Sequence, residues 1–286
     1  MDVPDAEDPF VVLEASTLRA GKGEARVERR AVAVEVAVNV VYGTVPYAVM
    51  MMTPRDLEDF VVGFSLTEGI VTGREDVRGI AVEQAAGGMR VVVDLVPARF
   101  HGLLARRRAM NGRTSCGVCG IEELSALPRA ELRAGGHQLG GDRVGIGAGA
   151  VWRALAMLPG LQGLNDETRA VHAAGWAGLD GTVSFVREDV GRHNALDKLI
   201  GALLTAGVNA ADGFVVVTSR CSYEMVEKAA AFGVAVLVAI SAPTSMGVER
   251  AEHHGMTLVG IARADAMTVF TGTGRILLEE GAGSGK

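Results

Sequence analysis

Apolar and polar positions divide the chain into short, well-marked segments. Residues 31–40 place β-branched valine at every second position, which predicts a strand. Residues 45–51 read as its partner across a turn at Gly43. Thr53-Pro54 then predicts a helix start, with Thr53 at the cap and Pro54 at the first helical position. Leu57, Phe60, Val61 and Phe64 recur at helical spacing, so this helix should run to about Glu68 and stop at Gly69. Strand-like runs follow at 77–82 and 89–95, separated by Gly87-Gly88, and a helical segment covers 98–109.

The second half has a different rhythm. Residues 172–176 and 182–187 read as adjacent strands joined by a turn at Leu179-Asp180-Gly181. A helix over 193–206 is followed by a buried strand at 213–218, a helix at 222–232 and a buried strand at 234–240. A helix at 244–254 and strands at 257–262 and 267–271 complete the pattern. Strand–helix–strand alternation implies a largely parallel sheet covered by helices. Residues 124–149 are rich in glycine and short polar residues and place a domain boundary near 134–148. The expected organisation is α/β in two domains. An irregular arm (1–25) leads into a smaller α+β domain (26–140) that ends in a cysteine loop. A second domain (141–275) binds the ligand, and a flexible tail (276–286) follows.

Composition narrows the class. The hydrophobic share of 49% and charged share of 22% in 286 residues suit a soluble globular protein with a normal core. A formal net charge of −6 speaks against general nucleic-acid binding, although Arg106-Arg107-Arg108 with Arg113 forms a local basic patch. The acidic start lacks the order of a secretion signal, and no apolar run reaches membrane-spanning length. Three cysteines are too few for a disulfide framework. A reducing, cytoplasmic setting without a membrane is therefore expected.

Two of those cysteines lie in Arg113-Thr-Ser-Cys-Gly-Val-Cys-Gly120, spaced C-x-x-C between glycines. Three readings fit this spacing. Cys116 or Cys119 carries a persulfide that the other assists or resolves; the pair is a dithiol–disulfide switch; or it is half of a zinc site completed by His101, His137 or His172. Arg113 supplies positive charge that favours a thiolate, and Gly112, Gly117 and Gly120 let the loop bend.

Three polar turns follow predicted strands in the second half. In 188–198, Gly191 allows a tight turn, and Arg192, His193 and Asn194 open a helix that would present N–H groups and a cation to an anion. Leu196, Leu199, Ile200 and Leu203 form that helix's apolar stripe; Asp197 and Lys198 share the opposite side with His193 and Asn194, as a plain solvated face would. In 218–224 a buried strand delivers Ser219, Arg220 and Ser222, where Ser222 is equally suited to be an N-cap and Cys221 reads as packing. In 241–245, Ser241 and Thr244 repeat the arrangement. Ligands of open α/β sheets bind at the carboxyl ends of strands, so three such turns imply one polar cleft suited to a phosphate-rich, nucleotide-like ligand. No P-loop and no G-x-G-x-x-G turn is present, which disfavours an ATPase or nicotinamide enzyme.

The segments RTSCGVCG, EDVGRHNALDK, SRCSYEMVEKA and SAPTS, in this order, resemble the FdhD family of sulfurtransferases needed for formate dehydrogenase activity, as does LEDFVVGFSLTEGIV. The resemblance covers roughly residues 30–271. It implies a sulfur carrier that accepts persulfide sulfur from a cysteine desulfurase on Cys116, with Cys119 as helper. The sulfur would pass to the molybdenum (or tungsten) bis-pterin guanine dinucleotide cofactor, Mo-bis(molybdopterin guanine dinucleotide), bound as cargo, for which a guanine nucleotide is a mimic. It also implies a homodimer and a second domain similar to cytidine deaminase, a three-layer α/β/α fold. The family's cofactor-binding segment corresponds to Ile261, Ala262, Arg263, Ala264, Asp265 and Ala266. Ile261 stands where the family usually has Phe, which removes a base-stacking ring and leaves Arg263 as a phosphate ligand. Deaminase chemistry is not implied, because the H-x-E and P-C-x-x-C zinc signature is absent. A non-catalytic molybdenum-cofactor-binding chaperone for formate dehydrogenase is the alternative.

Overall fold

The computed structural model describes residues 8–20, 22–109 and 145–278. The cysteine loop, with Arg113, Cys116 and Cys119, and the expected boundary at 140 lie outside the described residues. The chain opens with β1 (Phe10–Arg19) paired antiparallel to β2 (Lys22–Ala33). This corrects the expectation of an irregular arm over 1–25. The valine-rich run at 31–40 is two strands rather than one, because β2 ends at Ala33 and β3 (Val36–Tyr42) begins after Val34-Glu35.

β3 and β4 (Val45–Met52) join β5 (Val77–Ala85) and β6 (Gly88–Leu95) in a four-stranded sheet of order β4-β3-β6-β5. Helix α1 (Leu57–Thr67) follows β4, and α2 (Pro97–Ala109) follows β6. The helix starts three residues later than Thr53-Pro54 predicts, after Asp56 in the left-handed region at φ 54°. Thr53 does not cap it; both of its backbone polar groups and its hydroxyl are bonded elsewhere, as described below.

The second half opens with β7 (Ile146–Gly147), α3 (Ala148–Met157), a 3₁₀ turn (Leu158–Leu161) and α4 (Gly163–Thr168). Then come β8 (His172–Gly178), β9 (Val183–Asp189), α5 (Arg192–Thr205) and β10 (Gly213–Val217). The remaining elements are α6 (Tyr223–Phe232), β11 (Val236–Ala239), α7 (Ser245–His253), β12 (Thr257–Gly260), β13 (Thr268–Thr271) and β14 (Ile276–Leu277). The sheet has the order β13-β12-β11-β10-β8-β9. Only β10–β11 and β11–β12 pair in parallel, while β8 and β13 run against their neighbours, so the sheet is mixed rather than largely parallel. Residues 276–277, expected in the tail, pair with β7.

Helices cover both faces of this sheet. The crossovers from β9 to β10, β11 and β12 run one way along the sheet and bring α5, α6 and α7 onto one face, where α6 packs on both other helices and Trp176 of β8 meets Phe232 of α6 edge to face. The adjacent Gly175 points the other way, where Leu158 fills the space its missing Cβ would occupy. This is the three-layer arrangement. Helix α1 then packs on α5 at two facing glycines. A Cβ on Gly63 would stand 1.8 Å from the Asp197 carbonyl oxygen, and one on Gly201 1.8 Å from that of Asp59. The two halves therefore share backbone-to-backbone contact, and one buried apolar cluster runs through both.

Candidate functional site

Strands β9, β10, β11 and β12 all point the same way, because β8 is antiparallel to both β9 and β10. Their carboxyl ends form one rim of the sheet. The turns at this rim are stitched together by backbone hydrogen bonds. Thr244 N donates to Cys221 O (3.0 Å), Ile261 N to Ser241 O (3.1 Å) and Ala262 N to Ala239 O (3.3 Å). The motifs at 188–194, 219–222, 241–244 and 261–266 thus lie along one edge.

Asp189, at the end of β9, is the hub that shapes the first turn. It is fully buried and accepts from Thr53 N (3.0 Å), Gly191 N (2.7 Å), Asn194 Nδ2 (3.1 Å) and Lys198 Nζ (2.7 Å). Lys198 Nζ also donates to Thr53 O (3.0 Å), Asn194 Nδ2 to Met51 O (2.9 Å) and Val190 N to Thr53 Oγ1 (3.2 Å). A buried carboxylate needs such a set, since each unpaired polar group would carry its desolvation cost. Burial holds the Lys198 ammonium below the ordinary lysine range, and Asp189 works against that shift. The network anchors the end of β4 to the start of α5.

A second buried pair uses Asp197, the residue before Lys198 on α5. Asp197 accepts from Lys228 Nζ (2.8 Å) and from Thr67 Oγ1 of α1 (2.8 Å). Burial pushes the Asp197 carboxyl up, while Lys228 and Thr67 oppose the change. The polar side of α5 is therefore no solvated face. Asn194, Asp197 and Lys198 are all buried against α1, α6 and the Thr53 turn.

The sequence-selected residues separate into two groups. Arg192, His193, Arg220, Ser222 and Ser241 retain surface at the rim; Ser219 and Asn194 are buried. Ser219 Oγ donates to Arg220 O (3.1 Å). Ser222 occupies the N-cap position of α6 but makes no cap hydrogen bond, and its Oγ and Arg192 Nε are buried without a hydrogen-bond partner among the described residues. Thr244 caps α7 through Gly247 N (3.1 Å). Ile261, Ala264, Asp265 and Ala266 are exposed, Ala262 is buried, and Ile261 sits at φ 51°. Arg263 closes a turn by donating its N–H to Ala266 O (2.7 Å) and folds its guanidinium onto the carbonyls of Ile240 and Ala262.

Sequence reading missed two rim groups. Glu224 Oε2 of α6 lies 2.8 Å from His193 Nε2, and this contact holds its carboxyl below the ordinary glutamate value against burial. His172, considered only as a zinc ligand, opens β8 directly beside Asp189. Cys221 is buried, and burial pushes its thiol up to about 12, consistent with a packing role. Among the described residues no helix is long and apolar enough to cross a membrane.

Comparison with known proteins places this architecture. A family model described as the FdhD/NarQ family matches residues 33–277, most of the chain. The chain belongs to the FdhD/NarQ family. A relative from Xanthomonas euvesicatoria pv. vesicatoria, named sulfur carrier protein FdhD, is 48% identical over 240 residues, covering 84% of this chain and 83% of the relative. One of the same name from Agrobacterium fabrum is 45% identical over 273 residues, 94% of this chain and 99% of its own length. A solved structure from Desulfotalea psychrophila, assigned as a formate dehydrogenase accessory protein, superimposes with a TM-score of 0.73. It covers 94% of this chain and 100% of that one at 23% identity, so this likeness bears on the fold alone.

Proposed function

We propose that this protein is a cytoplasmic sulfur carrier that loads sulfur on Cys116 and delivers it to the pterin-bound metal of a formate dehydrogenase cofactor held at the sheet rim. The observation that carries the reading is the Cys116–Cys119 dithiol in a chain whose relatives are named sulfur carrier proteins. The third thiol, Cys221, is buried and its proton is held tightly, which leaves the loop pair to do the chemistry.

Loading is thiol exchange. The Cys116 thiolate attacks the outer sulfur of a cysteine desulfurase persulfide; a new S–S bond forms on Cys116, the old one breaks, and the desulfurase cysteine leaves as thiolate. Delivery as sulfide needs two electrons. Attack by the Cys119 thiolate on Cys116 Sγ supplies them, releasing hydrosulfide to the acceptor and leaving a Cys116–Cys119 disulfide for a cellular dithiol to reduce. At the rim, Arg192, Arg220 and the first N–H groups of α5 offer cationic and hydrogen-bonding partners for the phosphates of a molybdenum or tungsten bis-pterin guanine dinucleotide. The buried Arg192 Nε and Ser222 Oγ, without a hydrogen-bond partner among the described residues, support a polar occupant there.

Transfer of radiolabelled sulfur from a desulfurase, followed by assay of formate dehydrogenase matured in the same mixture, tests the reading. Cys116→Ala is expected to abolish both label transfer and maturation. If the Cys116→Ala protein matures formate dehydrogenase as the wild type does, Cys116 is not the carrier, and if Cys119→Ala does so too, a cofactor-holding role without sulfur chemistry takes its place.

A further inference from the structure

His172 is the first residue of β8, and because β8 runs against β10 it stands at the same rim as the carboxyl ends of β9 and β10. Its position is tightly pinned. It pairs across the sheet with Asp189, while the next residue, Ala173, donates its N–H to Thr218 Oγ1 (2.9 Å) and accepts from Thr218 N (3.0 Å). The ring is half-buried and has no hydrogen-bond partner among the described residues. The charged and titratable groups facing it come from three elements: Arg192 and His193 of α5, Arg220 from the turn after β10, and Asp189 of β9. Asp189 already spends its oxygens on Lys198, Asn194 and two backbone N–H groups. His193 Nε2 stands 2.8 Å from Glu224 Oε2.

We propose that His172 is a proton-coupled phosphate ligand, taking up one proton as a phosphate dianion binds beside Arg192 and Arg220. The inference rests on the rim reading given under Proposed function and adds to it a residue and a proton. Burial, with Arg192 and Arg220, holds the free ring below the ordinary histidine value, against the smaller pull of Asp189. Near neutral pH the ring is therefore neutral while the rim is empty. A dianion between the two arginines reverses the sign of the local field and offers an acceptor, and both effects favour imidazolium. The proton comes from solvent. Binding tightens as pH falls through the raised value of the bound ring and levels off below the lowered value of the free one, changing at most about tenfold per pH unit between them. Such a ligand prefers doubly charged phosphate esters and diphosphates over singly charged phosphodiesters.

Calorimetric titration of the full chain with GDP and with inorganic pyrophosphate, in buffers of different ionisation enthalpy, measures the protons taken up. The wild type should take up more protons per ligand than His172→Gln near neutral pH, and His172→Gln should flatten the pH dependence of Kd beyond that of the ligand's own titration. Equal uptake by the two proteins overturns the role of His172 and leaves the rim reading standing. If neither probe binds the wild type, the rim reading falls and takes this inference with it. Should His172→Gln fail to fold, the C2–H resonance of His172 in the wild type gives the same answer. Its titration midpoint must rise on GDP addition, and an unmoved midpoint refutes the proposal.

Discussion

Replacing Lys198 by Met removes the only formal positive charge bonded to the buried Asp189 carboxylate among the described residues. Nζ lies 2.7 Å from Asp189 Oδ2 and 3.0 Å from Thr53 O, and both side chains of the pair are fully buried. Breaking a buried pair from one side costs about 3–5 kcal/mol. Lys198→Met should fall near the lower end, because Asp189 keeps Thr53 N, Gly191 N and Asn194 Nδ2 as donors. Asp189→Asn should cost more, about 4–5 kcal/mol, since it leaves a buried ammonium facing only neutral acceptors among the described residues, the new amide and Thr53 O. The double variant Asp189→Asn with Lys198→Met removes both charges and should be less destabilised than the sum, with a coupling of about 2 kcal/mol or more. Urea unfolding followed by far-ultraviolet circular dichroism, read as shifts in midpoint at constant slope, measures all three. A Lys198→Met protein within about 1 kcal/mol of wild type, or two single variants that simply add, would refute the claim that this pair ties the β4 end to the start of α5.

Other outcomes follow from neighbouring features. Gly201→Ala places a methyl 1.8 Å from the Asp59 carbonyl oxygen, so α1 and α5 must separate by well over an ångström. A cost of about 1–3 kcal/mol or more from overpacking, reduced by about 1 kcal/mol of helix propensity, should appear as a lower thermal midpoint, and an unchanged midpoint contradicts the close contact. With its thiol at about 12, Cys221 should resist iodoacetamide at pH 8 in the native protein and react only in denaturant; peptide mapping that finds it labelled in the native state contradicts its burial. Glu224 has a folded value below its ordinary 4.5, so the stability it adds is present above that value and disappears as pH falls through the folded one. Glu224→Gln should therefore flatten the acid limb of the stability profile, and an unaltered limb would show that its pairing with His193 is not felt.

Much of the second half was legible because its signals are local. The runs that became β8 through β12 are short, apolar and bounded by turns, and α5, α6 and α7 carry helical periodicity. Sheet direction was not, because strand–helix alternation is equally compatible with an antiparallel β8 placed between β9 and β10. Thr53-Pro54 is a good local start signal, but tertiary bonds from Thr53 to Asp189, Val190 and Lys198 override it. The polar side of α5 looked solvated because its partners Thr53, Thr67 and Lys228 lie far away in sequence. The glycine contact of α1 and α5 is hidden for the same reason. At the candidate site, Arg192, Arg220 and the turns were readable from their place after apolar strands. His172 was not, since its role depends on which strand stands beside β9.

Intact-mass measurement after incubation with a cysteine desulfurase and free cysteine tests sulfur loading most directly. Wild-type and Cys119→Ala proteins should each gain the mass of one sulfur, mapped to Cys116 and removed by dithiothreitol, and Cys116→Ala should gain none. A Cys116→Ala protein that gains the same mass would contradict the assignment of Cys116 as the carrier.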